Sequence, residues 1–319
     1  FCSATQDIVI DAYRIEAVEP EYQGAMAATY VLGYRLALLV AGAGAFYIAD
    51  YTSWQMAYYV MAAMMLVGIV ATLIIKEPVH KVSKVAEQTE KELELAVGLS
   101  QSSSVVSKLA LWFVDAVASP FLEFFKRNGK AGLLILGLIA VYKMSDITMG
   151  VMANPFYLDL GFTKKEIADV SKIFGFFMTI LGASLGGIMV VRYGIMKPLL
   201  FGAVMVALTN LLFAVLALSE PSLMLLAGVI SADNLSGGIA TSVFIAYLSS
   251  LTSSAYTATQ YALFSSLMTL PAKLLGGFSG VVVDTYGYHS FFIYASAVGL
   301  PAIILVIVLM RKQKQTSGD

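Results

Sequence analysis

The chain has 319 residues, of which 20 are Lys or Arg, 21 are Asp or Glu and 59% are apolar, giving a formal net charge of −1. Only 13% of residues are charged, against about 25% in ordinary soluble domains, and mean hydropathy is +0.80; that is too little charge for a nucleic-acid surface and too much apolar mass for a disordered chain. A single cysteine, Cys2, excludes an intrachain disulfide, and two distant histidines, His80 and His289, argue against a His-built metal site.

A helix needs about 20 mainly apolar residues to cross a bilayer. Residues 1–18 (FCSATQDIVIDAYRIEAV) read as the last turns of one such span, without the basic start and apolar core of a signal peptide. Complete runs follow near 25–49, 54–75, 132–153, 169–191, 196–218, 221–249, 257–283 and 290–310. Nothing shows the repeated alternation of a membrane barrel. The expected fold is all-α and polytopic, with nine helical segments. The small-residue runs at 41–45 (AGAGA) and Leu185-Gly186-Gly187 suit helices packed closely in lipid.

Residues 76–131 form an aqueous connector. It holds Lys76, Lys81, Lys84, Lys91, Lys108, Lys126, Arg127 and Lys130 beside Glu87, Glu90, Glu92 and Glu94. Its second part, from Val105 through Leu109, Trp112, Phe113, Val117, Phe121, Phe124 and Phe125, has helical amphipathic spacing. This predicts a helix lying in the membrane interface, bent at Pro120. The basic residues of the connector, Arg192 with Lys197, and the tail (Arg311, Lys312, Lys314) fall on one side of the span pattern, and only Lys164 and Lys165 fall opposite. The connector and C-terminus are therefore expected in the cytoplasm.

Segment 48–59 (IADYTSWQMAYY) aligns with 282–293 (VVDTYGYHSFFI), pairing Asp50 with Asp284, Trp54 with Tyr288 and Tyr58 with Phe292. Both join two spans on the outward side. Two same-sided repeats linked by a long connector are the pattern of the two halves of a major facilitator transporter. The expected organisation is 1–75 as the C-terminal part of a first bundle, 76–131 as connector, and 132–319 as a complete six-span second bundle with its tail. On that reading about three spans, on the order of 100 residues, lie upstream of Phe1 in a 12-span protein.

Charges inside spans are costly and mark function. Asp7 and Asp11 share a helical face, with Gln6 adjacent and Arg14 one turn on. Two such carboxylates repel, so at least one is expected to bind a proton readily, as a proton-coupled carrier requires; the alternative is a structural Asp11–Arg14 pair at a helix end. Arg35 lies mid-span without a partner on its own helix and suits a counter-ion for Asp7 or Asp11, or an anchor for an anionic substrate. Lys143 and Asp146, three apart in the 132–153 run, suit either a structural ion pair or substrate contact. Lys273, after Pro271, either joins them or snorkels. Asp233-Asn234-Leu235-Ser236-Gly237-Gly238 places polar groups and paired glycines inside a span, which marks a binding site in a Gly-interrupted helix or close packing with Asn234 bonded to a neighbour. Asp50 and Asp284 suit loop caps. Residues 186–194 (GGIMVVRYG) are a degenerate form of the facilitator loop motif without its acidic member, and fail as a phosphate loop for want of Gly-Lys-Ser/Thr. No nucleophile–base pair or zinc constellation is present, so no enzyme, cofactor or metal is expected.

Ser3-Ala4-Thr5-Gln6-Asp7-Ile8-Val9-Ile10-Asp11-Ala12-Tyr13-Arg14 resembles the signature helix of AmpG-type muropeptide permeases in the major facilitator superfamily. The similarity continues through Gly24-Ala25, Val31-Leu32-Gly33-Tyr34-Arg35, Asp50, Trp54-Gln55, residues 233–238 and Thr259-Gln260-Tyr261-Ala262-Leu263, sparing only the connector. Acetyl-CoA transporters share a related Gln-Asp…Asp helix. The resemblance implies proton-driven import of 1,6-anhydromuropeptides (N-acetylglucosamine–anhydro-N-acetylmuramic acid, with or without peptide) across the bacterial inner membrane for cell-wall recycling, by alternating access in a monomer. It implies Gln6, Asp7 and Asp11 as the polar cluster; Arg35, Lys143 and Lys273 would suit carboxylates of an acidic stem peptide. Expected partners are the solute, protons and lipid, with no nucleic acid. The competing readings are a carrier of acetyl-CoA or another anionic metabolite, and a non-transporting membrane sensor or scaffold.

Overall fold

The computed structural model describes residues 2–78, 118–253 and 255–316, and every regular element among them is a helix. In the first segment α1 (Cys2–Glu16) turns through Pro20–Tyr22 into α2 (Gln23–Leu39). The buried Gln23 amide closes that turn, donating to the Ile15 carbonyl at 2.8 Å, which satisfies a helix-end carbonyl left without an intrahelical donor. A π-helical turn, Val40–Gly44, joins α2 to α3 (Ala45–Tyr51), and α4 (Trp54–Ile74) follows. Ser53 caps α4, its hydroxyl accepting from the Met56 amide at 3.2 Å.

After the connector come α5 (Ser119–Asn128), α6 (Ala131–Tyr142), α7 (Met144–Asp159) and α8 (Lys164–Ala168). A second π-helical turn, Asp169–Phe174, leads into α9 (Gly175–Tyr193). The chain closes with α10 (Met196–Leu216), α11 (Leu223–Leu251), α12 (Thr257–Gly276), α13 (Ser279–Val298) and α14 (Leu300–Thr316). Among the described residues, seven helical stretches are long and apolar enough to cross a membrane, including Pro20–Tyr51, Ala131–Asp159, Lys165–Tyr193 and Ser279–Gln315.

Two apolar clusters hold the second segment together. One gathers Phe124, Leu138, Ile139, Tyr142, Val243, Phe244, Phe264 and Val306, and Ala27 of α2 joins it. The other centres on Phe156, Phe213 and Phe292, with ring centroids 4.8–6.4 Å apart in tilted and edge-on arrangements. Between α9 and α11, glycine makes the approach possible. A Cβ on Gly182 would lie 2.2 Å from the Leu235 carbonyl oxygen, and one on Gly238 would lie 2.4 Å from that of Thr179. Gly187 does the same towards α2, where a Cβ would lie 2.8 Å from both the Gly24 oxygen and the Ala28 Cβ. Helix contact in lipid depends on such packing, because the surrounding acyl chains are as apolar as the helices.

Several expectations are corrected. Gly42 of the AGAGA run faces open space, a Cβ on Gly44 would meet only Leu39 and Val40 of its own turn at 4.0 Å, and the stretch forms the π turn instead of a packing seam. The glycines at 237–238 do not interrupt their helix, since α11 is continuous over 29 residues. Pro120 stands in the first turn of α5, where its missing N–H costs nothing; the bend expected there involves residues before 118, which lie outside the described residues. The part of the expected interfacial helix from Val105 to Val117 lies outside the described residues. The described part is no free surface helix: Glu123 and Phe124 are 3% and 1% exposed, and Phe124 packs edge-on against Phe264 at 5.3 Å. The run at 257–283 ends as a helix at Gly276, and the turn to the last span falls at Gly287, whose φ of 75° favours glycine.

Candidate functional site

Polar side chains inside this apolar scaffold gather in two places. The first lies along α1. Residues 7, 11 and 14 are one or almost one turn apart and form a single stripe. Arg14 Nε donates to Asp11 Oδ1 at 2.9 Å, with side-chain exposures of 4% and 15%. Arg14 Nη1 donates to Ser249 Oγ of α11 at 3.0 Å. The guanidinium lies between two tyrosine rings, 4.9 Å from the Tyr30 centroid on α2 and 4.8 Å from the Tyr261 centroid on α12. Arg14 therefore ties α1 to three helices, two of them from the far side of the connector. A planar guanidinium can stack and hydrogen-bond at once, which a lysine ammonium cannot.

Gln6 belongs to another face. With Thr5, Val9, Ile10 and Tyr13 it lines a largely apolar groove of about 850 Å³ against Gly68, Ala71 and Thr72 of α4. The Gln6–Asp7–Asp11 cluster implied by the resemblance is thus divided: Gln6 towards α4, Asp11 towards α2 and α12. Asp7 is exposed. Arg35 is not a counter-ion to either carboxylate. Asp11 pairs with Arg14, and Arg35 Nε is buried with no hydrogen-bond partner among the described residues.

The second place is a break in the 132–153 span. Tyr142 ends α6 and Met144 begins α7, with Lys143 between them at φ −95° and ψ 0°. The Lys143 ammonium donates to Asp146 Oδ2 and, at 3.0 Å, to Thr241 Oγ1 of α11. Asp233 lies two turns before Thr241 on that helix, and Thr209 Oγ1 of α10 donates to its Oδ1 at 3.5 Å. Thr209 also meets Ser236 at 3.2 Å, and Ser236 donates to the Asp233 carbonyl at 2.9 Å. Below these, Asn210 Nδ2 donates to Ser145 Oγ at 2.7 Å and Ser145 donates to the Ala295 carbonyl at 2.7 Å. The broken helix therefore opens onto a polar layer built from four helices.

Asn234 takes the packing role. It donates to the Ile230 carbonyl at 2.9 Å and accepts from Thr179 Oγ1 of α9 at 3.0 Å, while a Cβ on Gly175 would lie 3.1 Å from its amide nitrogen. Lys273 is exposed in the last turn of α12 and does not join Lys143. Asp50 and Asp284 are exposed. Arg192, in the degenerate loop motif, is exposed at the end of α9, and Gly194 after it has φ 72°.

Sequence reasoning did not single out Ser249, Tyr30, Thr241 or Thr209, because a hydroxyl in a span carries no positional signal by itself. It placed Gln260 within the resemblance but gave it no role. That side chain is 1% exposed, accepts from the Ser253 amide at 2.8 Å, and donates to Glu123 Oε2 at 2.8 Å and the Pro120 carbonyl at 2.9 Å. Arg127 pairs with Glu123 at 3.3 Å and donates to the Leu251 carbonyl. The end of the connector is thereby bound to the α11–α12 turn, next to Ser249 and Tyr261.

Comparison with known proteins agrees with this architecture. The sequence pattern of the Major Facilitator Superfamily matches residues 1–272 and 134–319. The protein named transporter AmpG 4 of Rickettsia conorii is 33% identical over 314 residues, covering 98% of this chain and 70% of that protein. The anhydromuropeptide permease of Escherichia coli K12 is 33% identical over 318 residues, covering 99% of this chain and 59% of the permease. The protein named transporter AmpG 1 of Rickettsia prowazekii is 27% identical over 326 residues, with coverages of 98% and 74%. The chain thus spans between about three-fifths and three-quarters of these relatives' own lengths. They are named as transporters or permeases, in keeping with the helices long and apolar enough to cross a membrane. The chain belongs to the Major Facilitator Superfamily, within its AmpG-type transporters, and is a multi-pass membrane protein rather than an enzyme.

Proposed function

We propose that the protein imports anhydromuropeptides from periplasm to cytoplasm, driven by protons and working by alternating access as a monomer in the bacterial inner membrane. The connector and C-terminus face the cytoplasm on this reading, following the Lys/Arg bias. The substrate class rests on the 33% identity to the anhydromuropeptide permease over 318 residues.

The observation that carries the mechanism is the position of Arg14. It is bonded to Asp11 on its own helix and to Ser249 and Tyr261 across the connector. The groups facing Asp11 are Arg14 and Asp7 on α1, Tyr30 on α2 and Tyr261 on α12. A proton arriving at Asp11 removes the negative charge that anchors the guanidinium. Arg14 then loses its orientation towards Ser249, and α1 is free to move from α11 and α12. Proton binding and opening of the two halves are in this way one event. In the second bundle Lys143, Asp146 and Asp233 form the polar wall, with Lys143 as the cation facing an acidic peptide. Gln6 lines the α1–α4 groove.

The test is the pair of single variants Asp7→Asn and Asp11→Asn, assayed for uptake of labelled anhydromuropeptide against external pH. Loss of the pH dependence in Asp11→Asn is expected; wild-type pH dependence in both variants would refute proton coupling through α1.

A further inference from the structure

The polar layer at the Lys143 break has an unbalanced charge. Lys143 is one cation, and Asp146 and Asp233 are two carboxylates. Asp146 already holds the ammonium, and among the described residues no Lys or Arg lies within ion-pair distance of Asp233. The geometry joins the three into one site. Asp233, Gly237 and Thr241 are spaced i, i+4, i+8 and form one stripe on α11. The lower end of that stripe binds Lys143 through Thr241 at 3.0 Å. Its centre is Gly237, where a Cβ would sit 3.9 Å from Asp146 Oδ1. The free oxygen of Asp146 therefore points at the turn of α11 that follows Asp233. A void of about 10 Å³, lined by Tyr142, Lys143, Ser145 and Asp146, lies beside the pair, which is about the space of one water.

We propose that Lys143, Asp146 and Asp233 form a second proton-binding site, in which Asp233 takes up one exchangeable proton beside the Lys143–Asp146 pair. Two carboxylates around one ammonium carry a net charge of −1, which is costly within a membrane span. Taking one proton from hydronium, with release of water, brings the cluster to zero. Asp233 receives it, since Asp146 is held by the ammonium and Thr209 gives Asp233 only a long 3.5 Å contact. The other groups facing the cluster are the hydroxyls of Tyr142 and Tyr157, both on the α6–α7 side and both buried. The proposal rests on the transport reading only for its purpose: it gives the second bundle a proton of its own, separate from the one at Asp11.

Infrared difference spectra of the reconstituted protein between acid and alkaline pH test it without any solute. A protonated-carboxyl stretch that appears on acidification is expected, and Asp233→Asn, which keeps the shape and the neutral charge, should remove it. Lys143→Met should retain that band at more alkaline pH, by a shift equivalent to at least about tenfold in proton affinity, because the cation opposing protonation is gone. Asp7→Asn and Asp11→Asn should leave this band in place. A band unchanged in both Asp233→Asn and Lys143→Met would overturn the proposal, whatever the outcome of uptake assays. So would a band lost only in the α1 variants.

Discussion

Arg14→Ala is the most informative single substitution, because the structure divides its contacts between the two sides of the connector. On the near side it removes the 2.9 Å pair with Asp11 and the stacking on Tyr30. On the far side it removes the 3.0 Å hydrogen bond to Ser249 and the stacking on Tyr261. A hydrogen bond from a charged donor contributes about 1.5–3 kcal/mol, and a desolvated cation–π contact about 1–2 kcal/mol. The tie across the connector is therefore worth about 2.5–5 kcal/mol, or a shift of roughly 70-fold to a few thousand-fold in the balance between joined and separated halves. Ala27 gives a reporter. It is fully buried where α2 meets the second bundle, and Cys2 is exposed and can be replaced by Ser. In a Cys2→Ser, Ala27→Cys background, a membrane-impermeant maleimide should react slowly with position 27. Adding Arg14→Ala should raise the rate by at least about tenfold, the equivalent of 1.4 kcal/mol. Adding Arg14→Lys should raise it less, since charge is kept and only the planar fork is lost. If Arg14→Ala leaves the rate within about twofold while the protein stays folded by thermal melting, Arg14 is not the tie, and the coupling argued from it fails.

Two further outcomes follow from the packing. Gly182→Ala forces a methyl to within 2.2 Å of the Leu235 carbonyl oxygen; α9 and α11 must part, with an expected loss of about 1–3 kcal/mol seen as a lower melting temperature, whereas Gly150→Ala, with nothing near its Cβ, should not lower it. Gln260→Ala leaves Glu123 buried with only Arg127, costing about 1–3 kcal/mol, and should expose the chain around Ser119–Asn128 to proteolysis before the rest of the second bundle; equal cleavage rates in variant and wild type would show that Gln260 does not hold the connector.

The fold was legible because a bilayer imposes one rule: long apolar runs become helices, and their ends are marked by charge and turn residues. The runs at 54–75 and 196–218 match α4 (Trp54–Ile74) and α10 (Met196–Leu216) to within two residues. What hydropathy does not encode is where a span breaks. Lys143 was visible as a charge inside a span, but its position between two helices depends on Thr241 and Asp146 receiving its ammonium. The glycines at 237–238 look from sequence like an interruption; in the structure Gly238 admits the Thr179 carbonyl of α9 and Gly237 faces Asp146, and the helix runs through both. The same limit applies to partners. Arg14 has an obvious mate three residues away in Asp11, so nothing local pointed to Ser249, 235 residues distant. Arg35, lacking a local mate, invited a long-range one, yet its Nε is buried without a hydrogen-bond partner among the described residues. Charge in a span marks a position reliably, whereas the identity of its partner is a property of helix packing.

Uptake by purified protein in liposomes tests the central claim most directly. With labelled anhydromuropeptide outside and an inward proton gradient, accumulation above the external concentration is predicted. A protonophore should abolish that accumulation while leaving solute exchange intact, and excess acetyl-CoA should not compete. Uptake that only equilibrates, and is the same with and without the gradient, would contradict proton-coupled import; displacement by acetyl-CoA would contradict the substrate class.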